Sequence, residues 1–323
     1  MNDALSPRVA EALRTVTVSP DGRGATVGRR RLSADGAESL RPLLAGAIYE
    51  ELHAGWVRPD IPAGRSLRDR AADARFRELM PYRDALQRVP VLDASGDDLL
   101  VRLDGVGVWM PGERVIERYP SAVDGADDED GESALVRVPA DRPALSSGFF
   151  LADSPAQWGP GGSILRVYVH LTSMDAAFAA WSAVLGALAE TSARYRVKVA
   201  SSPVMLPRRD ALVLYAGDQD DDLARRVAEA VRDVPGIGTG TSVFARPAAP
   251  GVSTAREPAD PRPDMRGLSF GEHRSATLAE ALTRHAVTAA DDGDLTAPDL
   301  TAAVRDAFLR AGIDPGDPSR NLP

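Results

Sequence analysis

Apolar residues recur at helical spacing through AESLRPLLAGAIYEELHAGW (37–56) and SLRDRAADARFRELM (66–80). The pattern then changes to period two. DLLVRLDGVGVWM (98–110) and ALVRVP (134–139) read as strands, with SAVDGADDEDGES (121–133) between them as an acidic loop lacking an apolar anchor. Further on, ILRVYVHLT (164–172) alternates strictly and SMDAAFAAWSAVLGALAETS (173–192) follows as a helix that Ser173 can cap. RYRVKVA (194–200) and DALVLYA (210–216) are the next strands, and QDDDLARRVAEAVRDV (219–234) is a helix with aspartates against its positive end. RPAAPGVSTAREPADPRPDMRG (246–267) reads as a long loop. RSATLAEALTRHAV (274–287) and TAPDLTAAVRDAFLRAG (296–312) are helices, the second capped by Thr296 with Pro298 in its first turn. This order predicts an α+β fold, a mainly antiparallel sheet packed against helices.

The 323 residues suffice for one large domain or two ordinary ones. A division near residue 130 gives an N-terminal mixed region, 1–130, and a more regular one, 131–323, with one continuous domain as the alternative. A net charge of −9 argues against bulk nucleic-acid binding but not against one local cationic pocket. No apolar run approaches a membrane helix, and the N-terminus does not read as a secretory signal. The absence of cysteine removes disulfides, thiolate catalysis and Cys-based zinc sites, so a reduced cytoplasm is the expected location.

Alternation sorts the two central strands into faces. Leu165, Val167, Val169 and Leu171 share one face, against Arg166, Tyr168 and His170 on the other. Tyr195, Val197 and Val199 oppose Arg194, Arg196 and Lys198. In one sheet, the polar side would present Arg, Tyr, His and Lys together as the floor of a peptide-binding cleft; an ordinary solvent-exposed face is the plain alternative. Arg208 and Arg209 follow a turn-like segment. Clustered guanidiniums suit a dianionic phosphate, which they bind by paired hydrogen bonds. A lysine beside such a cluster can act as a general base. In the structural alternative, Lys198 snorkels to solvent and Arg208 and Arg209 pair with Asp210. GIGTGTS (236–242) lacks the strand-to-helix context of a phosphate loop. GDQDDD (217–222) lacks the spacing of a calcium loop. No GxSxG elbow occurs.

The string RVKVASSPVMLPRRDALVLYAGD (196–218), with GLSFGEHRSATLAEAL (267–282), resembles the HopA effector family over about residues 145–285, more weakly at AIYEELHAGW (47–56). That family includes type III effectors and stand-alone lyases of class V lanthipeptide and thioamitide biosynthesis. A more distant similarity is to phosphothreonine lyases of the OspF and SpvC type, which carry His, Lys, Arg and Tyr in this chain order. The resemblance implies elimination of phosphate from a phosphoserine or phosphothreonine of a precursor peptide, made by a kinase-like partner, to leave dehydroalanine or dehydrobutyrine. It implies no metal and no other cofactor. Carried over, Lys198 is the base and His170 the acid, with Arg166 or Tyr168 as substitutes for the latter. Tyr215 or Tyr168 assists by hydrogen bonding. Arg208, Arg209 and Arg274 hold the phosphate, with Arg196 and Arg166 as further phosphate ligands. The rival expectation is a non-catalytic effector module that binds phosphopeptides or a protein. A phosphatase is poorer, lacking a nucleophilic cysteine or a metal set.

Overall fold

The computed structural model describes residues 4–56, 67–120, 131–143, 145–156, 163–217, 221–291 and 299–322. Helix α1 (Pro7–Leu13) leads into a three-stranded antiparallel meander, β1 (Val16–Val18), β2 (Gly24–Val27) and β3 (Arg30–Ser33). Helix α2 (Ala37–Ile48) continues without a break into a π-helical turn, Tyr49–Ala54, where the sequence predicted one helix to residue 56. Gly55 ends it in the left-handed region at φ 59°, and a Cβ there would lie 2.6 Å from Arg209 Nε. Only glycine meets both demands. Helix α3 (Arg70–Glu78) is capped by Asp69, whose carboxylate accepts from the amides of Ala71 and Ala72.

The next sheet contains β4 (Asp84–Ser95), β5 (Asp98–Leu103), β6 (Val106–Met110), β7 (Val115–Tyr119) and β8 (Ser133–Pro139), in the order β6-β5-β4-β8-β7. The stretch expected as one strand over 98–110 is therefore a hairpin. Asp104 and Gly105, at φ 49° and 82°, form its two-residue loop, the Asp-Gly turn that matches strand twist. Residues 121–130 of the expected acidic loop lie outside the described residues.

The third sheet has six strands. They are β9 (Phe149–Asp153), β10 (Ile164–Leu171), β11 (Tyr195–Ala200), β12 (Arg208–Gly217), β13 (Arg246–Ala249) and β14 (Val252–Arg256), ordered β13-β14-β10-β12-β11-β9 and antiparallel throughout. Helix α4 (Met174–Ala189) joins β10 to β11, and α5 (Asp221–Val231) follows β12, so the expected strand–helix–strand–strand–helix unit is present. The predicted long loop over 246–267 is half hairpin: β13 and β14 extend the sheet, and only 257–269 remains irregular apart from a 3-10 turn at Pro263–Met265. Helix α6 (Phe270–Asp291) begins four residues earlier than the pattern indicated, and α7 (Leu300–Arg310) is N-capped at Asp299. Thr296 and Pro298 lie outside the described residues.

Both faces of the six-stranded sheet are used. Val167, Val197, Val199, Leu212 and Leu214 point to α4 and α5, where Trp181 is buried and its indole N–H donates to the Phe76 carbonyl at 3.0 Å. On the opposite face, Tyr168, Val213 and Ala255 lie in a second core with Ile48, Leu52 and Phe270. Helices α2 and α6 thus cover part of the face that alternation marked as polar. Each core draws residues from both sides of residue 130.

Candidate active site

Strand register decides which side chains meet. Arg166, Tyr215 and Arg196 stand abreast on β10, β12 and β11, and the next row is Tyr168, Val213 and Lys198. Leu151 of β9 completes that row beside Lys198. Where the helices leave this face uncovered, a cleft of about 360 Å³ opens. Arg166, Lys198 and Tyr215 form its floor, and Glu257, Asp260, Glu272 and residues 265–269 its roof.

Most charges in the cleft already have partners. Arg166 donates to both carboxylate oxygens of Glu257, one bond of 2.7 Å and one shorter. Beside the cleft, Arg196 forms a similar fork with Asp153. The buried Asp260 carboxylate accepts from Arg262 at 2.6 Å and from His273 Nε2 at 2.9 Å. Lys198 differs. Its ammonium lies 4.7 Å from the Phe149 ring centre and 5.6 Å from that of Tyr215, and it makes no hydrogen bond or ion pair among the described residues. Arg266, exposed at the mouth, likewise has no ion pair there. Lys198 is also the sole lysine of the 323-residue chain, whose other basic residues besides histidine are all arginine. Arginine stays protonated in proteins, so this position carries the one basic side chain able to cycle as an amine base.

The remaining predicted residues are engaged by other parts of the chain, although Arg208 shares the Phe149 ring with Lys198. Arg208 lies within β12, which begins two residues before the predicted strand. It is 5% exposed and bound to both oxygens of the buried Asp210, donating also to the Tyr49 hydroxyl at 2.6 Å. Asp210 is tied further to His53 Nε2 at 3.6 Å. Burial opposes its charge, but Arg208 and His53 hold its carboxyl well below the usual range. Arg209 points to the π-helical turn and donates to the carbonyls of Glu51 and Leu52 at 3.1 and 3.4 Å. His170 sits near Arg209 and the 236–240 loop, its Nδ1 3.1 Å from the Gly240 carbonyl. Burial, with the nearby Arg209 charge, lowers its pKa, which favours the neutral form over a proton donor. Tyr168 is buried with no hydrogen-bond partner for its hydroxyl among the described residues, and the His53 ring meets it edge-on at 5.3 Å.

Arg274 is fully buried. Its guanidinium donates to the carbonyls of Pro318 and Arg320, to Asn321 Oδ1 and to His273 Nδ1, and burial pulls its pKa to about 10. It anchors the C-terminal segment instead of pairing with a carboxylate. The whole SFGEHR stretch has this architectural character. Ser269 and Glu272 form a reciprocal capping box at the start of α6, the Ser269 amide donating to the Glu272 carboxylate at 2.8 Å. Phe270 enters the second core, and Gly271 leaves room for the His53 ring, which a Cβ would approach to 2.3 Å. Glu257, Asp260 and Arg266 were not anticipated at the cleft, nor Phe149 beside Lys198. Strand alternation cannot reveal which loop folds over a sheet.

A model of the HopA1 effector protein family matches residues 140–320, the span holding this entire six-stranded sheet. Among solved structures, the effector protein from Pseudomonas syringae pv. tomato strain DC3000 is similar at 12% identity and a TM-score of 0.50, with 88% of this chain and 90% of that one covered. The effector protein from Pseudomonas syringae pv. syringae strain 61 is 14% identical at a TM-score of 0.49, covering 89% and 93%. The first of these likenesses is one of fold. No curated protein matches.

Proposed function

The chain belongs to the HopA1 effector protein family, and from that premise we propose that it is a phosphoserine/phosphothreonine lyase acting at Lys198 on a peptide phosphorylated by a partner kinase. The observation that carries the reading is the unpaired ammonium of the sole lysine on the floor of the cleft. The arginine of the floor, Arg166, is neutralised by Glu257, whereas Lys198 and Arg266 face the space without an ion pair among the described residues.

The reaction balances with these groups. Lys198, as the free amine, takes the Cα proton. The electron pair of that C–H bond becomes the Cα=Cβ bond, and the Cβ–O bond breaks with its pair on the phosphate oxygen, which takes a proton from water so that phosphate leaves as the hydrogen phosphate dianion. Arg266 and the Arg166–Glu257 pair border the space into which the dianion departs, and the Tyr215 hydroxyl can donate to it. His170, Arg208, Arg209 and Arg274 have no direct part in this version. Their contacts lie with the 236–240 loop, Asp210, the π-helical turn and the C-terminal segment.

Mass spectrometry of a phosphoserine or phosphothreonine peptide incubated with the protein tests the reading. Loss of phosphoric acid with a thiol-reactive alkene is expected, abolished in Lys198→Ala. Phosphate release with the hydroxyl restored would mean hydrolysis. Binding without conversion, even with the kinase-like partner added, would favour a phosphopeptide-binding effector module.

A further inference from the structure

A second depression, about 680 Å³, runs between α2 and α6 and shares Met265, Leu268 and Glu272 with the Lys198 cleft. Its walls are mostly apolar, with Trp56, Leu67 and Met205 at one end. Five carboxylates line it, Glu38, Glu50, Asp264, Glu272 and Glu280, against the single cation Arg41. Glu272 is engaged at Ser269, Glu280 with Arg262 and Arg284, and Glu50 with Arg30. Glu38 and Asp264 make no side-chain hydrogen bond or ion pair among the described residues.

Helix α2 departs from good helix chemistry along this groove. Pro42 lies inside it and supplies no N–H to the carbonyl of Glu38, itself in the groove wall. Gly46 is a mid-helix glycine that costs about 1 kcal/mol relative to alanine. Neither packing nor strain accounts for it: no atom lies within 4 Å of where its Cβ would be, and its φ is not positive. A π-helical turn, a feature frequent at functional sites, follows directly. A helix whose middle turn faces an acidic, apolar groove with only Pro42, Ala45 and Gly46 suits the close approach of another backbone there.

We propose that this groove binds an extended stretch of the peptide substrate next to its phosphorylated residue, with apolar side chains against Trp56 and Met205 and basic side chains at Glu38 and Asp264. This rests on the lyase reading for the identity of the ligand, and it divides the substrate into two recognised parts. The anionic residue sits over Lys198, and a basic–apolar stretch lies under α2. The shared wall at Met265, Leu268 and Glu272 makes the two depressions neighbours.

The test is selection from two synthetic peptide libraries, randomised on both sides of a fixed central residue, which is phosphoserine in one library and serine in the other. Captured sequences are expected to be enriched in Leu, Ile, Phe or Met with Lys or Arg on one side of the centre, in both libraries. Gly46→Trp, which fills the groove, should weaken capture about tenfold, equivalent to about 1.4 kcal/mol. Gly46→Ala should keep the fold and raise its thermal stability, which separates groove filling from misfolding. Glu38→Lys with Asp264→Lys should reverse the charge preference. Unselective capture, enrichment of acidic residues, or enrichment unchanged in Gly46→Trp would overturn the groove. If the flank preference holds in both libraries but phosphoserine is neither favoured nor converted, the groove stands and the lyase reading fails.

Discussion

Lys198 and Arg208 lie ten residues apart and show two opposite fates of a buried or half-buried cation. Arg208 has a carboxylate, a tyrosine hydroxyl and the rings of Tyr49, Trp56 and Phe149 around it. Removing one member of such a pair strands the other charge, so Arg208→Ala should destabilise by about 3–5 kcal/mol in chemical denaturation. A loss of less than 1 kcal/mol would return Arg208 to the list of phosphate ligands. Lys198 has only aromatic faces, so its replacement should cost chemistry rather than stability. Lys198→Arg preserves the charge but cannot act as a base. It should retain phosphopeptide binding while lowering elimination by about 10²- to 10⁴-fold; turnover at the parent rate would show that the position works by charge alone. The sequence exposed Lys198 through strand alternation. It also contained the pairing of Arg208 with Asp210, but two adjacent guanidiniums read equally well as a phosphate clamp until burial is known. Which residue keeps its charge for a ligand depends on carboxylates brought in from distant segments, such as Glu257 and Asp153.

At the scale of elements, the period-two and helical patterns located the strand–helix–strand–strand–helix unit and the Ser173 cap of α4, because those signals are local. The hairpin β13–β14 escaped because proline and alanine weaken strand alternation, and β5–β6 because its Asp-Gly turn was absorbed into one run. The junction of the π-helical turn with α6 was invisible for another reason: it is a contact between residues 53 and 271. Gly271→Ala forces a methyl group into the His53 ring, which is held by Ser242 Oγ at 2.8 Å and cannot swing away freely. An overpacking cost of about 1–3 kcal/mol is expected from denaturant midpoints. A neutral result would mean that the two elements are loosely coupled.

Across the whole molecule, buried charge sets the response to acid. His273 is fully buried, and burial together with Arg274 lowers its pKa from 6.5 to about 4. Between those values the unfolded chain binds a proton that the folded one refuses, so stability falls as pH drops through that window, by up to about 3 kcal/mol. Burial lowers His170 as well, adding to the slope. Urea midpoints at several pH values should show His273→Gln with a shallower decline between about pH 6.5 and 4; an unchanged slope would locate the acid response elsewhere. Below that range Asp260 and Asp210 take over, since carboxyls held low in the folded state lose their contribution as pH approaches their depressed values.

The contacts of Arg274 tie together parts of the molecule that are otherwise remote. The C-terminal carbonyls hold Arg274, Arg274 donates to His273, His273 donates to Asp260, and Asp260 forms part of the cleft roof. The last turn of the chain therefore works like a latch fastened from outside through a line of three side chains. Pulling away residues 318–321 would leave a guanidinium in the interior without oxygen partners, and the disturbance would travel inward to Asp260. Such a cut should register as a change in substrate handling before it registers as unfolding, because the floor of the cleft hangs on β10, β11 and β12, which residues 318–321 reach only at the edge, through Glu257 and Arg256.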